Sequence, residues 1–205
     1  MDQFPLVFTI FFMLLGPIKL IPSFAGSTQG ADVRFKRAVA IRGVVIAAAL
    51  CALVALGGGT LLARYRISID ALRFAGGLVL LIAALQVIFE KANPPSPSSG
   101  TRTAIQLATS PVAIPMIVPP AGVAAILIFM MFEPQYPGIP TTIAVCLSII
   151  MVLDFLVMYF IDQVLKTPGL MIVLTVLGAV LIFVQVALAM QIFLVALRSL
   201  GVVNV

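Results

Sequence analysis

Residues 105–132 read IQLATSPVAIPMIVPPAGVAAILIFMMF, an apolar run that contains four prolines. A helix needs about 20 apolar residues to cross a bilayer, so the run is long enough for a transmembrane span. A proline has no N–H group to bond to the carbonyl one turn earlier, and an unpaired carbonyl that faces lipid costs several kcal/mol. We therefore predict that this span is broken into half-helices or a re-entrant hairpin, and that it lies inside the protein or beside a cavity.

The rest of the chain predicts an all-α integral membrane protein with six transmembrane helices, because five further apolar runs have a similar length. Of the 205 residues, 62% are hydrophobic and only 9% are charged, whereas a soluble domain carries about 25% charged residues. The runs also lack the period-two alternation of membrane strands. The predicted spans are residues 4–24, 38–62, 67–89, 105–132, 139–164 and 170–197.

A stretch rich in proline and serine, residues 91–104, is predicted to link two repeats, residues 1–90 and 105–205. Each repeat holds three predicted helices. An odd number means that the second repeat enters the membrane from the opposite side, which predicts an inverted repeat. Seven Lys and Arg residues lie near the odd-numbered loops and three lie on the other side. This bias favours a cytoplasmic linker, with both termini outside the cytoplasm.

The first predicted helix is also broken, because residues 15–22 read LGPIKLIP. Interrupted helices at matching places of two repeats point to the binding site of a secondary transporter. The alternative interpretation is that these prolines merely kink the helices, as prolines of membrane helices often do. The predicted substrate-binding residues are Gly16, Pro17, Lys19, Pro22, Pro111, Pro115, Pro119, Pro120 and Gly122.

Lys19 and Asp154 are the two charged residues predicted to lie within the membrane. Each costs roughly 2.5–3.5 kcal/mol on insertion scales, and at 1.5 Å per residue both lie about 22 Å deep. We predict that they form an ion pair. Alternatively, Lys19 snorkels to the membrane surface, and Asp154 is a protonated, hydrogen-bonded carboxyl or a proton-coupling group.

Other polar residues of the predicted spans are expected to be structural. Asp70 and Arg73 are three residues apart, so they can pair on one helix face. Gly76 and Gly77 allow close helix contact, and the isolated glutamines Gln86, Gln185 and Gln191 are expected to form hydrogen bonds between helices.

Residue content also limits the function classes. The chain has no histidine, and both cysteines lie in apolar runs, so no metal, cofactor or enzyme activity is expected. The net charge of +5 forms no basic stripe, so nucleic acid is not an expected partner. The expected partners are the lipid bilayer, a small solute, and a second copy or another membrane protein. No P-loop motif is present, so transport would draw on a gradient or a partner.

Three short motifs stand at the breaks and between them. Residues 16–22 read GPIKLIP, residues 67–77 read ISIDALRFAGG, and residues 111–121 read PVAIPMIVPPA. They resemble the motifs N-P-x-G-x-x-P, I-S-x-x-A-x-R-x-A-G-G and P-L-A-I-P-L-I-A-G-P-G of the MarC family of bacterial inner-membrane proteins. That family overlaps the small neutral amino acid transporter family of the lysine exporter superfamily.

The resemblance implies six helices, a place in the bacterial inner membrane, and transport or export of a small solute such as a neutral amino acid. This chain has Gly16 where the family motif has asparagine, and Lys19 where it has glycine. Pro119 and Ala121 replace glycines of the later motif. A non-transporting accessory subunit of a larger membrane complex is therefore the alternative function.

Overall fold

The computed structural model describes residues 3–90, 103–131, 138–167 and 169–202. Throughout these ranges the regular secondary structure is helical, which confirms the predicted all-α class. Most of the predicted linker, residues 91–102, lies outside the described residues. The division into two repeats stays a prediction.

Nine α-helices and one irregular helical segment make up the described chain. The helices are α1 (Gln3–Leu15), α2 (Pro17–Ser27), α3 (Val33–Arg64), α4 (Ile69–Glu90), α5 (Ala104–Leu107), α6 (Pro120–Met130), α7 (Ile139–Tyr159), α8 (Ile161–Lys166) and α9 (Leu170–Ser199). Residues Ala108–Ile117, which we name the proline segment, connect α5 to α6. The fifth predicted span ends earlier than expected, at Tyr159, and the short helix α8 follows it.

Five helical stretches of the described residues are long and apolar enough to cross a membrane. They are Phe4–Ser27, Val33–Arg64, Ile69–Gln86, Ile139–Tyr159 and Ile172–Ser199. A sixth candidate consists of Ala104–Ile117 and Pro120–Met130, two pieces bent by 56° relative to each other. The predicted number of six spans is therefore reached if this bent pair counts as one span.

The outer surface of the helices is apolar, as lipid contact requires. Leu56 on α3 is 84% exposed and Phe183 on α9 is 74% exposed. Large apolar side chains are exposed along both helices, including Val45 and Leu53 on α3 and Val176 on α9. A water-soluble monomer rarely exposes apolar surface on this scale, so these faces are suited to lipid.

The two halves meet through helices that hold corresponding places in the chain. The most extensive contacts join α4 to α9, and those between α3 and α7 are among the next. Gly77 allows α4 and α9 to pack closely, because an added β-carbon would lie 3.3 Å from the Ala189 carbonyl oxygen. Gly76 faces α6, where an added β-carbon would lie 2.6 Å from Ile128 Cδ1. The inverted relation of the halves remains a prediction, since contact alone does not determine it.

Polar contacts mark the two ends of the long helix α3. Near its start, Lys36 pairs with Asp162 of α8 at 2.6 Å. Just beyond its end, Asp70 pairs with Arg73 at 2.9 Å, and the Ser199 hydroxyl donates to Asp70 at 2.7 Å. The last turn of α9 is thereby joined to the first turn of α4. Between these two ends the described helices are almost entirely apolar.

Candidate functional site

The break in the first predicted span lies at Gly16. Helix α1 ends at Leu15, and α2 begins at Pro17 with Gly16 in an extended conformation (φ −71°, ψ 167°). The Gly16 N–H donates to the Phe12 carbonyl at 2.9 Å. A β-carbon at Gly16 would lie 2.2 Å from that carbonyl oxygen, so a residue without a side chain is required at the break.

The second break is longer, because it contains more prolines. Ser110 (φ −143°, ψ 123°) and Ile114 (φ −132°, ψ 121°) interrupt the helical conformation of the proline segment. Each precedes a proline, whose ring disfavours the helical conformation in the residue before it. Pro119 is extended (φ −70°, ψ 157°), and α6 begins at Pro120. Both breaks thus end with a proline at the first position of a new helix, where its fixed φ suits the helix.

Both breaks line one partly open cavity of about 300 Å³, which we name the central cavity. The described residues that line it are Leu14, Gly16, Lys19, Ser23, Ala83, Gln86, Pro111, Pro115, Met116, Pro119, Pro120, Ala121 and Gln185. Six of the nine predicted substrate-binding residues are in this set. The two halves of the chain therefore contribute their broken helices to the same space.

Three predicted substrate-binding residues lie elsewhere. Pro17 is buried and Pro22 is exposed, and neither lines the central cavity. Gly122 instead packs against α1, since an added β-carbon would lie 2.8 Å from Leu15 Cδ1. The sequence placed these residues near the breaks, but the helix turns that follow each break direct them away from the cavity.

The Lys19 ammonium group is held inside the protein. It donates a hydrogen bond to Gln185 Oε1, and Gln185 Nε2 donates to the Leu80 carbonyl at 3.1 Å. Gln185 is only 2% exposed and stands halfway along α9, about 21 Å from either end at 1.5 Å per residue. Lys19 therefore does not snorkel to a surface in this structure. It forms a polar contact at mid-height between α2, α9 and α4.

The predicted Lys19–Asp154 pair is wrong for this structure. Asp154 is fully buried, and neither carboxyl oxygen has a hydrogen-bond partner among the described residues. It lies within electrostatic range of Cys51 on α3 and does not line the central cavity. The positions of Lys19 and Asp154 along their helices predict the same depth for both side chains. They do not predict which way each side chain points, because that depends on the rotation of each helix about its axis.

Gln185 has a second role in the cavity that the sequence did not predict. It was expected only to link helices, and it does so through Leu80. It also lines the cavity and holds Lys19. The signal in the sequence is its isolation, because it is an amide in the middle of a 30-residue apolar helix, where polar groups are costly and tend to have a function.

A second cavity of about 360 Å³, the apolar cavity, lies between α1, α4, α6 and α9. Its lining is almost wholly aliphatic or aromatic, with Arg73 and Gln191 as the polar residues of the described set. Leu14 lines both cavities. The apolar cavity therefore adjoins the central cavity, and it extends toward the end of the bundle where Arg73 pairs with Asp70.

Apolar helices with exposed apolar faces, with two of the spans broken at a shared cavity, define an α-helical integral membrane protein. The chain belongs to the MarC family, because the family described as "MarC family integral membrane protein" matches residues 1–200. This match confirms the resemblance of the three motifs. The protein accordingly resides in a lipid bilayer.

Similar proteins come from archaea and bacteria. A UPF0056 membrane protein of Methanocaldococcus jannaschii is 27% identical over 133 residues, which cover 63% of this chain and 65% of that protein. The UPF0056 inner membrane protein YhgN of Escherichia coli is 25% identical over 126 residues, covering 62% and 61%. A UPF0056 membrane protein of Pyrococcus abyssi is 25% identical over 155 residues, covering 75% and 76%. The first two matches span less than two thirds of those relatives. No solved structure matches the chain.

Proposed function

We propose that this protein is a secondary transporter or exporter of a small solute, with the central cavity as its solute site. The observation that carries this proposal is the meeting of two broken helices, one from each half of the chain, at one cavity. Broken helices supply helix ends and irregular backbone to a solute near the membrane midplane. Gln185 stands halfway along α9 and is hydrogen-bonded to Lys19, which supports a site near the middle of the bundle.

Contacts along α3 support six crossings in two oppositely inserted triplets. A β-carbon on Gly43 would lie 2.7 Å from Val112, and one on Gly58 would lie 2.2 Å from Leu127. These glycines are 15 residues apart on α3, which corresponds to about 22 Å. The proline segment and α6 thus follow α3 over that distance, as one bent span would. The name of the Escherichia coli relative favours the cell inner membrane. The bias of basic residues favours both termini outside the cytoplasm.

The apolar cavity supports a route between the central cavity and one end of the bundle. Leu14 stands between the two cavities and is 4% exposed. A solute that moves from the central cavity toward Arg73 would have to displace this side chain. Leu14 is the next-to-last residue of α1, two residues before the break at Gly16, where a change in the angle between α1 and α2 would shift it.

Asp154 is the residue that we assign to coupling with a proton gradient. Its buried and unpartnered carboxyl oxygens are unusual, since buried polar groups normally have a partner, and ionisable groups within membranes often form proton relays. Asp154→Asn should abolish accumulation driven by a proton gradient and leave solute exchange intact. Equal loss of accumulation and exchange, measured in proteoliposomes, would instead assign Asp154 to solute movement itself.

One observation favours a second candidate function, a non-transporting accessory subunit. Lys19 extends into the cavity and joins α2 to α9 through Gln185, and the family motif has glycine at this position. In such a subunit the contact would lock the two helices together. The cavity would then be a remnant of a transport site.

Reconstitution of the purified protein separates the two candidates. Radiolabelled small solutes, including glycine, alanine and short carboxylates, would be offered to proteoliposomes under imposed proton and sodium gradients. We expect gradient-dependent accumulation of at least one solute above protein-free vesicles. Absence of flux for the whole panel, together with isolation from membranes in a fixed complex with another protein, would support the accessory subunit.

A further inference from the structure

Helix ends of both signs lie at the central cavity. Helices α2 and α6, each 11 residues long, begin at the cavity, where Gly16, Pro119 and Pro120 line it. The N-terminus of a helix carries roughly half a positive charge, because its first N–H groups have no partner within the helix. Helix α1 ends at Leu15, two residues before α2 begins at Pro17, so the partial negative charge of its C-terminus offsets the positive charge at the start of α2. The start of α6 is not offset in this way.

Lys19 adds a positive charge that has no counter-ion among the described residues. Its partner is the neutral amide of Gln185. In the described parts of the chain the ion pairs within 4.0 Å are Lys36–Asp162 and Asp70–Arg73, and neither involves Lys19. None of the described lining residues is acidic. A cation inside a membrane protein is normally compensated by a charge partner, and here an anionic ligand would provide it.

The rest of the lining suits a short aliphatic group. Leu14, Ala83, Met116 and Ala121 contribute apolar surface beside the polar groups. A cavity of about 300 Å³ is at the small end of ligand sites, which favours a solute of a few carbon atoms. An anionic head group at Lys19 and a short apolar body can therefore be accommodated together.

The same lining disfavours an amino acid zwitterion. Its ammonium group would find no acidic side chain among the described lining residues. In a cavity of this size it would also lie within the Debye length of about 8–10 Å from the Lys19 ammonium, so the repulsion would be little screened. Removing the ammonium group from the solute removes this conflict and keeps the attraction to the carboxylate.

We infer that the central cavity binds a short monocarboxylate without an α-ammonium group, with its carboxylate between Lys19 and the start of α6. This inference rests on the proposed function, since it names the class of solute for the same cavity. Lys19 is then a specificity-determining residue. It occupies the position where the family motif has glycine, and its charge selects the anion.

Binding tests the inference separately from transport. Propionate, lactate, alanine and glycine would be titrated into wild-type protein in phosphatidylcholine nanodiscs, so that no anionic lipid competes. Affinity would be measured by calorimetry. We expect the affinity for propionate or lactate to exceed the affinity for alanine by about tenfold or more. Binding of alanine or glycine at equal or higher affinity would overturn the inference. This test uses only the wild-type protein, so no variant can fail to fold.

Variants then locate the anion. Lys19→Gln should weaken propionate binding about tenfold or more, and Lys19→Arg should retain most of it, because the charge is kept. Lys166→Gln removes an exposed lysine of α8 that does not line the cavity, and it should change nothing. Unchanged binding in a folded Lys19→Gln protein would contradict the inference.

The two proposals fail in different ways. Carboxylate binding without flux of any solute would sustain the anion site and overturn the transporter. Flux of alanine without binding or flux of carboxylates would sustain the transporter and overturn the anion site. Adding phosphatidylglycerol to the nanodiscs distinguishes a lipid headgroup as the anion, since it would then compete with propionate. That result would overturn the assignment to a free solute.

Discussion

The two helix breaks reach the same cavity by different means. The first needs one glycine and one proline, and its two helices, α1 and α2, are separated by a single residue. The second holds four prolines, loses regular helix over the ten residues of the proline segment, and bends the span by 56°. The difference shows that a single proline at the start of a helix only restarts it, whereas prolines four residues apart unwind it.

The breaks also differ in what limits them. At Gly16 the nearest obstacle is backbone, the Phe12 carbonyl oxygen, whereas at Gly122 it is the end of the Leu15 side chain. Backbone of a helix moves little, but a leucine side chain can change rotamer. The first break should therefore tolerate substitution much less than the second.

The largest effect is expected for Gly16→Ala. The added methyl group would overlap the Phe12 carbonyl at 2.2 Å, so we expect a loss of about 3 kcal/mol in unfolding free energy, measured by denaturation in detergent. Gly26→Ala on α2 is the matched control, because a β-carbon there has no neighbour within 4 Å. Gly26→Ala should raise the unfolding free energy by about 0.5–1 kcal/mol. Similar values for both variants would contradict the difference between the breaks.

A smaller effect is expected for Gly122→Ala at the second break. Its β-carbon would lie 2.8 Å from Leu15 Cδ1, and adjustment of that side chain should limit the loss to about 1–2 kcal/mol. Adding Leu15→Val should recover part of it, and a double-mutant cycle would measure the coupling. Gly178→Ala, with open space around it, is the control. If Leu15→Val and Gly122→Ala were independent, the close contact would be refuted.

Lys19 and Asp154 should behave independently of each other. Lys19 is hydrogen-bonded to Gln185, and the Asp154 carboxyl has no partner among the described residues. The changes in unfolding free energy caused by Lys19→Gln and Asp154→Asn should therefore sum, in the double variant, to within about 0.5 kcal/mol. By contrast, Lys19→Gln and Gln185→Leu should couple, since these residues share a hydrogen bond. A strong coupling between Lys19 and Asp154 would restore the ion pair that the sequence predicted.

The smallest effects are expected where the two breaks are equivalent. Pro17 and Pro120 both occupy the first turn of a new helix, where the missing N–H group would have had no partner within the helix. Pro17→Ala and Pro120→Ala should each change the unfolding free energy by less than about 1 kcal/mol. A large loss at only one of them would show that the breaks do not begin their helices in the same way.

Several features of the site could be predicted because they are local. The prolines predicted both breaks. The convergence of six predicted residues on one cavity followed from the placement of the breaks at matching positions. The partner of Lys19 could not be predicted in this way, because Gln185 is 166 residues away. The predicted partner, Asp154, instead lies on a helix that faces α3.

By itself, the sequence determined the class of protein, the apolar spans and the positions where two of them break. Hydropathy and the missing N–H group of proline belong to single residues and short runs, so no tertiary contact is needed to infer them. Only the tertiary structure decided which side chains share the cavity. Rotation of each helix about its axis depends on packing between helices, as at Gly43 and Gly58. That packing placed Lys19 beside Gln185 and left Asp154 without a partner.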